Sequence, residues 1–183
     1  MIVFAAAFLL AGPPRFLGPP EKKPPDEERA AVAPGDAAPV FSAAVENAQA
    51  AGTKRFDLAQ LVGPSLAGRT AARAVLISFF DASCEACRSE LATLEALYTQ
   101  YKLQGLAVVS VAANPVALLK AHAVTYPVAV DHGGSIARRY LGPKPVYPAA
   151  VLVGSDGNVV SVKKGYRGDP AVLLRAEVDM ALR

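Results

Sequence analysis

With 183 residues, of which 52% are hydrophobic, the chain has enough apolar material for one folded domain and an extension, and a second full domain would not fit. Its formal net charge of +3 comes from 19 basic and 16 acidic residues that are well mixed along the chain, which argues against a nucleic-acid-binding surface. Cys84 and Cys87 are the two cysteines of the chain, so a framework of several disulfides is excluded. A zinc site is disfavoured because His122 and His132 are distant from the cysteines and not at ligand spacing.

The first twelve residues form an apolar run, MIVFAAAFLLAG. This run is shorter than the ~20 residues that a membrane-spanning helix needs. Its length fits the core of a signal peptide, although no Lys or Arg precedes it and Pro13 follows at once. We therefore expect a periplasmic or secreted protein, with a flexible apolar terminus or a short membrane-surface anchor as the alternatives. A lipid-modified cysteine is excluded because no cysteine lies near this segment.

The segment 13–34 differs in composition from the rest of the chain. It is rich in proline, and the stretch from Glu21 to Arg29 is dense in charge. Such a segment buries too little apolar surface to fold alone, so we predict a disordered linker. Apolar runs punctuated by glycines follow, and we place the folded domain at 35–183.

A buried strand followed by a helix is predicted in the middle of the chain. Ala74 to Phe80 is a continuous run of mostly apolar, branched and aromatic residues, as in a strand covered on both faces, and it leads directly to Cys84. Apolar residues then recur at steps of three and four, which predicts a helix from Cys84 to Gln104 that ends at Gly105. The elements predicted after it, in chain order, are a strand at Leu106–Ala112, a helix opened by Asn114 and Pro115 and ending near Ala123, a strand at Val128–Val130, a helix at Ser135–Leu141, a strand at Ala149–Val153, a hairpin turn at Asp156 and Gly157, a strand at Asn158–Val162, and a last helix capped by Asp169 and Pro170.

The order of these elements indicates the fold class. Strands alternate with helices, and the chain finishes with a hairpin and a helix. That order is typical of an α/β domain with a central mixed sheet covered by helices on both faces. We therefore predict three layers, α/β/α.

The two cysteines are separated by two residues and lie where the buried strand runs into the helix, a placement typical of redox chemistry. At the first turn of a helix the unpaired N–H groups and the positive end of the dipole favour a thiolate, so Cys84 is predicted to be the attacking thiol. Cys87 lies one turn later and is predicted to resolve the mixed disulfide. An inert structural disulfide is the alternative, and it is disfavoured because cross-linking so short a loop removes little chain entropy.

Two glutamates lie close to the cysteines in the sequence. Glu85 puts a negative charge beside the attacking sulfur and is predicted to raise its pKa, which favours a reducing or weakly oxidising protein. A solvated first-turn carboxylate is the alternative for Glu85. Glu90 lies three residues after Cys87 on the same helical face, where a partly buried carboxylate could exchange a proton with the sulfurs. On position alone, a surface glutamate is an equal alternative for Glu90.

The stretch FFDASCEACRSE, from Phe79 to Glu90, resembles the active-site segment of the TlpA/ResA branch of thioredoxin-like disulfide reductases. The resemblance extends over about residues 35 to 180 and implies a thioredoxin-like fold and thiol-disulfide exchange. It also implies that Glu90 assists deprotonation of the cysteines. In thioredoxin itself a buried aspartate falls at Ser78, so Glu90 would have to serve as the proton acceptor instead.

The segment VYPAAVLVGSDG, from Val146 to Gly157, is similar to the segment of that family that contains a cis-proline. The resemblance implies a cis peptide bond before Pro148, beside the cysteines, and binding of an extended substrate strand by the backbone of Tyr147. Without the resemblance, an ordinary trans proline is the alternative. The family's aromatic residue before the first cysteine is replaced by Ser83, and Tyr147 is bulky, so the partner preference is left open.

The predicted function is therefore a thiol-disulfide oxidoreductase that reduces protein disulfides. The redox-active Cys84–Cys87 pair would serve as its redox group, with no other cofactor and no metal. The expected partners are protein disulfides or dithiols and an upstream redox protein, and not nucleic acid. We expect a monomer, whose apolar N-terminal segment allows association with a membrane.

Two other functions remain as alternatives. A peroxiredoxin-like thiol peroxidase of the same superfold is disfavoured, because such enzymes resemble one another in a Thr or Ser and a Pro where this chain has Asp81 and Ile77. A non-catalytic module that binds a protein or Cu(I) through its thiols is chemically reasonable, because soft thiolates suit that metal. Copper-delivering relatives of the fold resemble one another in having three residues between the cysteines, so the gap of two disfavours this alternative.

Overall fold

The computed structural model describes residues 31–66, 71–81, 83–165 and 169–183. The apolar segment at 1–12 and most of the predicted linker lie outside the described residues. Within them, short connections join strands and helices in the predicted alternation. The helices and strands, in chain order, are β1 (Ser42–Ala44), α1 (Ala48–Ala51), β2 (Arg55–Asp57), β3 (Ala74–Phe80), α2 (Glu85–Tyr101), β4 (Leu106–Ala112), α3 (Pro115–Ala121), β5 (Val128–Val130), α4 (Ser135–Leu141), β6 (Ala149–Gly154), β7 (Val159–Lys164) and α5 (Pro170–Ala181).

The central sheet has five strands in the order β5-β4-β3-β6-β7. β3 lies in the middle, parallel to β4 and antiparallel to β6. β5 continues the parallel half of the sheet, and β7 continues the antiparallel half. The predicted mixed sheet is therefore confirmed, and β3, which leads to the cysteines, is its central strand.

Both faces of β3 are covered, because all seven of its residues are buried. Side chains alternate along a strand, so Val75, Ile77 and Phe79 point to one face, where they pack with α4 and with the β1–β2 pair. On the other face Leu76 and Phe80 pack with residues of α2 and α5. The sheet thus lies between two helical layers, as predicted.

Most predicted elements agree with the observed ones within a few residues, and β3, β4, β5 and α4 agree residue for residue. The helix predicted from Cys84 to Gln104 begins at Glu85, and its last turn, Lys102–Gln104, is a 3-10 helix. Gly105 ends it with a φ of 98°. A Cβ at this position would lie 2.8 Å from Cγ of Arg73, so both the backbone angle and the space favour glycine.

α1 and the β1–β2 pair are not predicted from the sequence. These strands have three residues each, which is too short for a pattern of alternation to be recognised. Ala43 and Phe56 pair across them and are both buried. Val45, just after β1, forms a bridge to Ala129 of β5. The pair is thus held by contacts with a strand far along the chain.

Residues at and just before the predicted start of the folded domain, at position 35, make backbone hydrogen bonds with that domain. The N–H of Val32 donates to the carbonyl of Tyr140 at 2.9 Å, and the N–H of Gly35 donates to that of Val159 at 2.8 Å. Val32 also packs against the core on the α4 side of the sheet. Among the described residues, no helix combines the length and the apolar character that crossing a membrane requires.

Candidate active site

The connection between β3 and α2 presents Cys84 at the start of a helix. β3 ends at Phe80, and the N–H of Cys84 donates to the carbonyl of Asp81 at 3.1 Å. Cys84 is the N-cap of α2, with an extended backbone. At this position the first N–H groups of the helix lack intrahelical acceptors and the helix dipole is positive. The predicted junction of buried strand and helix therefore places Cys84 where a negative charge on sulfur is favoured.

The two cysteines are joined by a disulfide but differ in their access to solvent. Their Cα atoms are 5.2 Å apart, within the usual disulfide range. Cys84 is partly exposed, whereas Cys87 is 0% exposed. The N–H of Cys87 donates to Sγ of Cys84 at 3.2 Å, so the helix start supplies a hydrogen bond to the outer sulfur. Another protein can reach an attacking thiol only if it is accessible, and of these two sulfurs Cys84 meets that requirement.

Asp81 forms the turn that precedes Cys84. Its Oδ1 accepts hydrogen bonds from the Ser83 hydroxyl at 2.5 Å and from the Ser83 N–H at 2.8 Å. These bonds lower the pKa of Asp81, so a carboxylate charge lies shortly before the exposed sulfur. From the sequence, Asp81 is used only as a difference from peroxidases, and this turn is not predicted. An aspartate two residues before a serine in a strand-to-helix connection is a local signal that predicts such a turn.

Glu90 lies inside the protein, one turn after Cys87 on the same side of α2. Both side chains are 0% exposed. Oε1 of Glu90 accepts a hydrogen bond from the hydroxyl of Ser78 on β3 at 2.9 Å. The alternative that Glu90 is a surface carboxylate is therefore wrong. Burial favours the neutral form of a carboxyl, whereas a donated hydrogen bond favours the charged form, so the two features act on its proton affinity in opposite directions.

A second buried hydroxyl pair lies on the neighbouring strand. Ser110 of β4 is the register partner of Ser78, and its hydroxyl donates to the hydroxyl of Tyr126 at 3.1 Å. Burial raises the pKa of Tyr126, and the carboxyl groups of Glu95 and Glu90 add to the effect. Ser110 and Tyr126 are not predicted from the sequence as part of this site. The available signal was one hydroxyl inside each of two otherwise apolar strands, at the fifth position of both.

Glu85 begins α2 and is exposed. A carboxylate in the first turn interacts favourably with the helix dipole and unfavourably with a thiolate on its neighbour Cys84. Together with Asp81 it places acidic groups on both sides of Cys84 in the chain. The predicted effect of Glu85 on the thiol stays a prediction.

A cis peptide bond joins Tyr147 to Pro148, as the resemblance implied. The register of β3 and β6 puts Pro148 at the end of the sheet from which the chain continues to Cys84. Tyr147 is half-buried, and this burial raises its pKa, with carboxylates including that of Asp81 adding to the effect. The roles of Tyr147 and Pro148 in binding a substrate stay predictions.

The chemical groups gathered at this site are a pair of sulfurs, one buried carboxyl and two exposed carboxyls. The described ranges contain no group of three or more His, Cys, Asp or Glu side chains that could hold a metal ion. His122 and His132 are both exposed. Of the residues predicted from the sequence, the structure brings Cys84, Cys87 and Glu90 together on the first turns of α2.

Comparison with known proteins gives a family model and several similar proteins. A family model described as the AhpC/TSA family matches residues 34–162. The thiol-disulfide oxidoreductase ResA of Halalkalibacterium halodurans is 29% identical over 116 residues, which cover 60% of this chain and 65% of that protein. The protein of the same name from Bacillus thuringiensis subsp. konkukian is 30% identical over 98 residues, which cover 51% of this chain and 56% of that protein. The chain thus spans somewhat less than two thirds of the length of these relatives.

Solved structures match over more of the chain. A thioredoxin-family thiol:disulfide interchange protein of Chlorobium tepidum superimposes with a TM-score of 0.62 at 25% identity, covering 84% of this chain and 100% of that one. A secreted disulfide oxidoreductase of Mycobacterium tuberculosis gives a TM-score of 0.59 at 20% identity, covering 76% of this chain and 95% of that one. These likenesses confirm the predicted thioredoxin-like fold.

Proposed function

The chain belongs to the AhpC/TSA family, and we propose that it is a thiol-disulfide oxidoreductase that reduces disulfides in other proteins. The observation that carries the proposal is the difference between its linked cysteines. Cys84 is partly exposed at the start of α2, and Cys87 is buried one turn later. The similarity to two relatives named thiol-disulfide oxidoreductase ResA supports it.

The reaction proceeds in two exchanges. In the reduced protein the Cys84 thiolate attacks a disulfide of the client protein, so that a bond forms between Sγ of Cys84 and one client sulfur while the other leaves as a thiolate. Cys87 then gives up its proton and attacks Sγ of Cys84, which breaks the mixed disulfide and releases the second client thiolate. The product is the Cys84–Cys87 disulfide seen in the structure. Two electrons have passed to the client, and an upstream dithiol protein must return them.

The surroundings of Cys84 favour reduction of clients over their oxidation. The helix start and the N–H of Cys87 stabilise a Cys84 thiolate. The carboxylates of Asp81 and Glu85, on either side of Cys84 in the chain, oppose that stabilisation. A strongly oxidising pair needs a heavily stabilised reduced form, and these acidic neighbours work against one.

Glu90 acts in this proposal as the proton acceptor for Cys87. The Cys87 thiol is sealed from water, so a proton that leaves it needs an acceptor inside the protein. Glu90 lies one turn further on the same helical face and is equally buried. Its carboxylate takes the proton as the Cys87 sulfur attacks Cys84.

Replacement Glu90→Gln is expected to slow disulfide reduction about 10²-fold near neutral pH, the lower end of the usual contribution of a positioned acid or base. It should also remove the part of the acidic limb of the pH profile that comes from Glu90, because the amide does not titrate, and leave the part that comes from protonation of the Cys84 thiol. The measurement is the rate of insulin reduction as a function of pH. Glu95→Gln is the matched control, since Glu95 lies on the same helix but accepts hydrogen bonds from the surface residue Thr125. Equal effects of the two substitutions would contradict this role.

The clients and the compartment follow from the proposed chemistry. Protein disulfides persist in oxidising compartments, so the substrates of this reaction lie outside the cytoplasm. The apolar run at 1–12 favours export, and one protein of the same fold, from Mycobacterium tuberculosis, is described as secreted. Membrane association and a monomeric state belong to the same proposal.

The function is tested by assaying two reactions with the same protein. We expect catalytic reduction of insulin disulfides with a dithiol as the electron source. We expect no enzyme-like consumption of hydrogen peroxide with that dithiol. Rapid peroxide turnover with slow insulin reduction would instead favour a thiol peroxidase, in which Cys84 passes through a sulfenic acid. If neither reaction occurs and Cu(I) binds tightly to the reduced protein, a metal-binding module would replace an enzyme as the best proposal.

A further inference from the structure

Glu90 is buried on a helix whose other buried residues are largely apolar. Leu91 and Leu94 of the same helix and Leu76 of β3 are buried and belong to one apolar cluster. A carboxyl in such surroundings is costly in its charged form unless a donor faces it. Ser78 supplies a donor, because its hydroxyl lies 2.9 Å from Oε1 of Glu90 and is itself 0% exposed.

Ser78 reaches Glu90 from the centre of the sheet. β3 lies between β4 and β6 and leads to Cys84, so Ser78 lies on the strand that also positions the cysteines. A serine hydroxyl can always donate, whereas an ionised aspartate at this position could only accept and would repel the Glu90 carboxylate. A neutral donor therefore suits a mechanism in which Glu90 is the group that changes its charge.

Most of the described residues packed on this face of the sheet are uncharged. Among the described residues, the buried polar or charged side chains that face α2 from the sheet are Ser78 and Ser110, and the latter donates to Tyr126. Tyr126 stays neutral because burial raises its pKa. Residues packed on this face include Cys87 of α2, Ala150 and Leu152 of β6, and Leu174 and Val178 of α5. The titratable groups of α2 include Tyr101, whose hydroxyl donates to Asp179 of α5, and Glu95, which accepts hydrogen bonds from Thr125.

We propose that Ser78 is a positioning residue for thiol-disulfide exchange, whose hydroxyl holds the Glu90 carboxylate ready to accept the proton of Cys87. The inference rests on the proposed function and names a further residue of the same site. In the second exchange the proton moves from Sγ of Cys87 to the Glu90 carboxylate. The freed electron pair forms the bond to Sγ of Cys84, and the client sulfur leaves with the electrons of the mixed disulfide.

The form of Glu90 that the Ser78 hydroxyl stabilises decides in which direction the titration midpoint of Glu90 moves when the hydroxyl is removed. A hydrogen bond to a carboxylate is stronger than one to the neutral acid, so Ser78 favours the charged form. Removal of the hydroxyl makes Glu90 keep its proton to higher pH. From the usual strength of a hydrogen bond to a charged group, we expect its titration midpoint to rise by about one pH unit in Ser78→Ala.

The experiment follows the carboxyl of Glu90 by carbon-13 nuclear magnetic resonance in the oxidised protein. The disulfide removes the titration of both thiols, so the carboxyl titrates without coupling to them. Absence of the signal in Glu90→Gln assigns it. The pH profile of insulin reduction is measured in parallel, and the part of its acidic limb that depends on Glu90, rather than on the Cys84 thiol, should move upward with the midpoint.

Ser110→Ala is the matched control for Ser78→Ala. Both changes delete one hydroxyl that is 0% exposed, at paired positions of adjacent strands, but Ser110 bonds to Tyr126 and not to Glu90. We expect Ser110→Ala to leave the midpoint of Glu90 unchanged. A second pair, Ser78→Thr and Ser78→Val, differs only by hydroxyl against methyl and replaces the alanine variant if that one fails to fold. Ser78→Thr should keep the wild-type midpoint, and Ser78→Val should raise it.

The outcomes separate this inference from the proposed function. An upward shift in Ser78→Ala or Ser78→Val, absent in Ser110→Ala and Ser78→Thr, supports the positioning role. No shift, or equal shifts in Ser78→Ala and Ser110→Ala, overturns it even if the wild type reduces insulin well. If the wild type does not reduce insulin but the titration midpoint of Glu90 still changes in the Ser78 variants, the proposed function is refuted. The effect of the Ser78 hydrogen bond on Glu90 would then still stand.

Discussion

Cys84→Ser is expected to abolish disulfide reduction, with a loss of about a thousand-fold or more. A serine hydroxyl is not ionised near neutral pH and forms no exchangeable bond with a client sulfur. Cys87 cannot take over the attack, because its side chain is 0% exposed. The measurement is the rate of insulin reduction under conditions in which the wild type turns over many times.

The serine variant separates a chemical effect from a structural one. Cys84 is the N-cap of α2, and its sulfur accepts the N–H of Cys87. Serine is among the preferred N-cap residues, so the start of the helix stays capped and the far-ultraviolet circular dichroism should match that of the reduced wild type. Retention of a tenth or more of the wild-type rate by a folded Cys84→Ser protein would remove Cys84 from its role as the attacking thiol.

The elements that support the site were predictable because their signals are local. β3 is a continuous apolar run, and the buried residues of α2 recur at steps of three and four, so both elements follow from seven to seventeen consecutive residues. The N-cap position of Cys84 follows from the same junction. The β1–β2 pair carries no comparable signal, because strands of three residues are held by distant contacts such as that between Val45 and Ala129.

The polar contacts beneath the cysteines were less accessible from the sequence. Ser78 and Glu90 are 12 residues apart and meet only because α2 packs on β3. The resemblance identifies Ser78 only as the position of an aspartate that this chain lacks, whereas in the structure its hydroxyl donates to Glu90. The burial of Glu90 likewise could not be predicted from the sequence. A position three residues after Cys87 puts Glu90 on the same side of the helix, but it does not say whether that side is covered by the sheet or faces solvent.

Cys87→Ala is expected to stop the reaction at the mixed disulfide. Cys84 keeps its exposure and its place at the helix start, so the first exchange with a client should proceed. The second exchange lacks its nucleophile, and the client stays attached to Sγ of Cys84. Alanine is tolerated in helices and leaves only a small space where the buried sulfur was, so the fold should persist. Mass spectrometry without reductant should show a covalent adduct of one protein and one client, which a dithiol releases.

The same adduct can be used to identify the physiological clients, because each client stays covalently attached to Cys84. Incubation of Cys87→Ala with a periplasmic or secreted protein extract should give adducts whose client component can be sequenced. A variant that combines Cys84→Ser with Cys87→Ala is the control and should give none, because no sulfur remains. Adducts at equal yield in the wild type would mean that Cys87 does not resolve them. Complete absence of adducts in Cys87→Ala, with reduction of insulin retained, would mean that the two-sulfur mechanism does not operate and that electrons reach the client by another route.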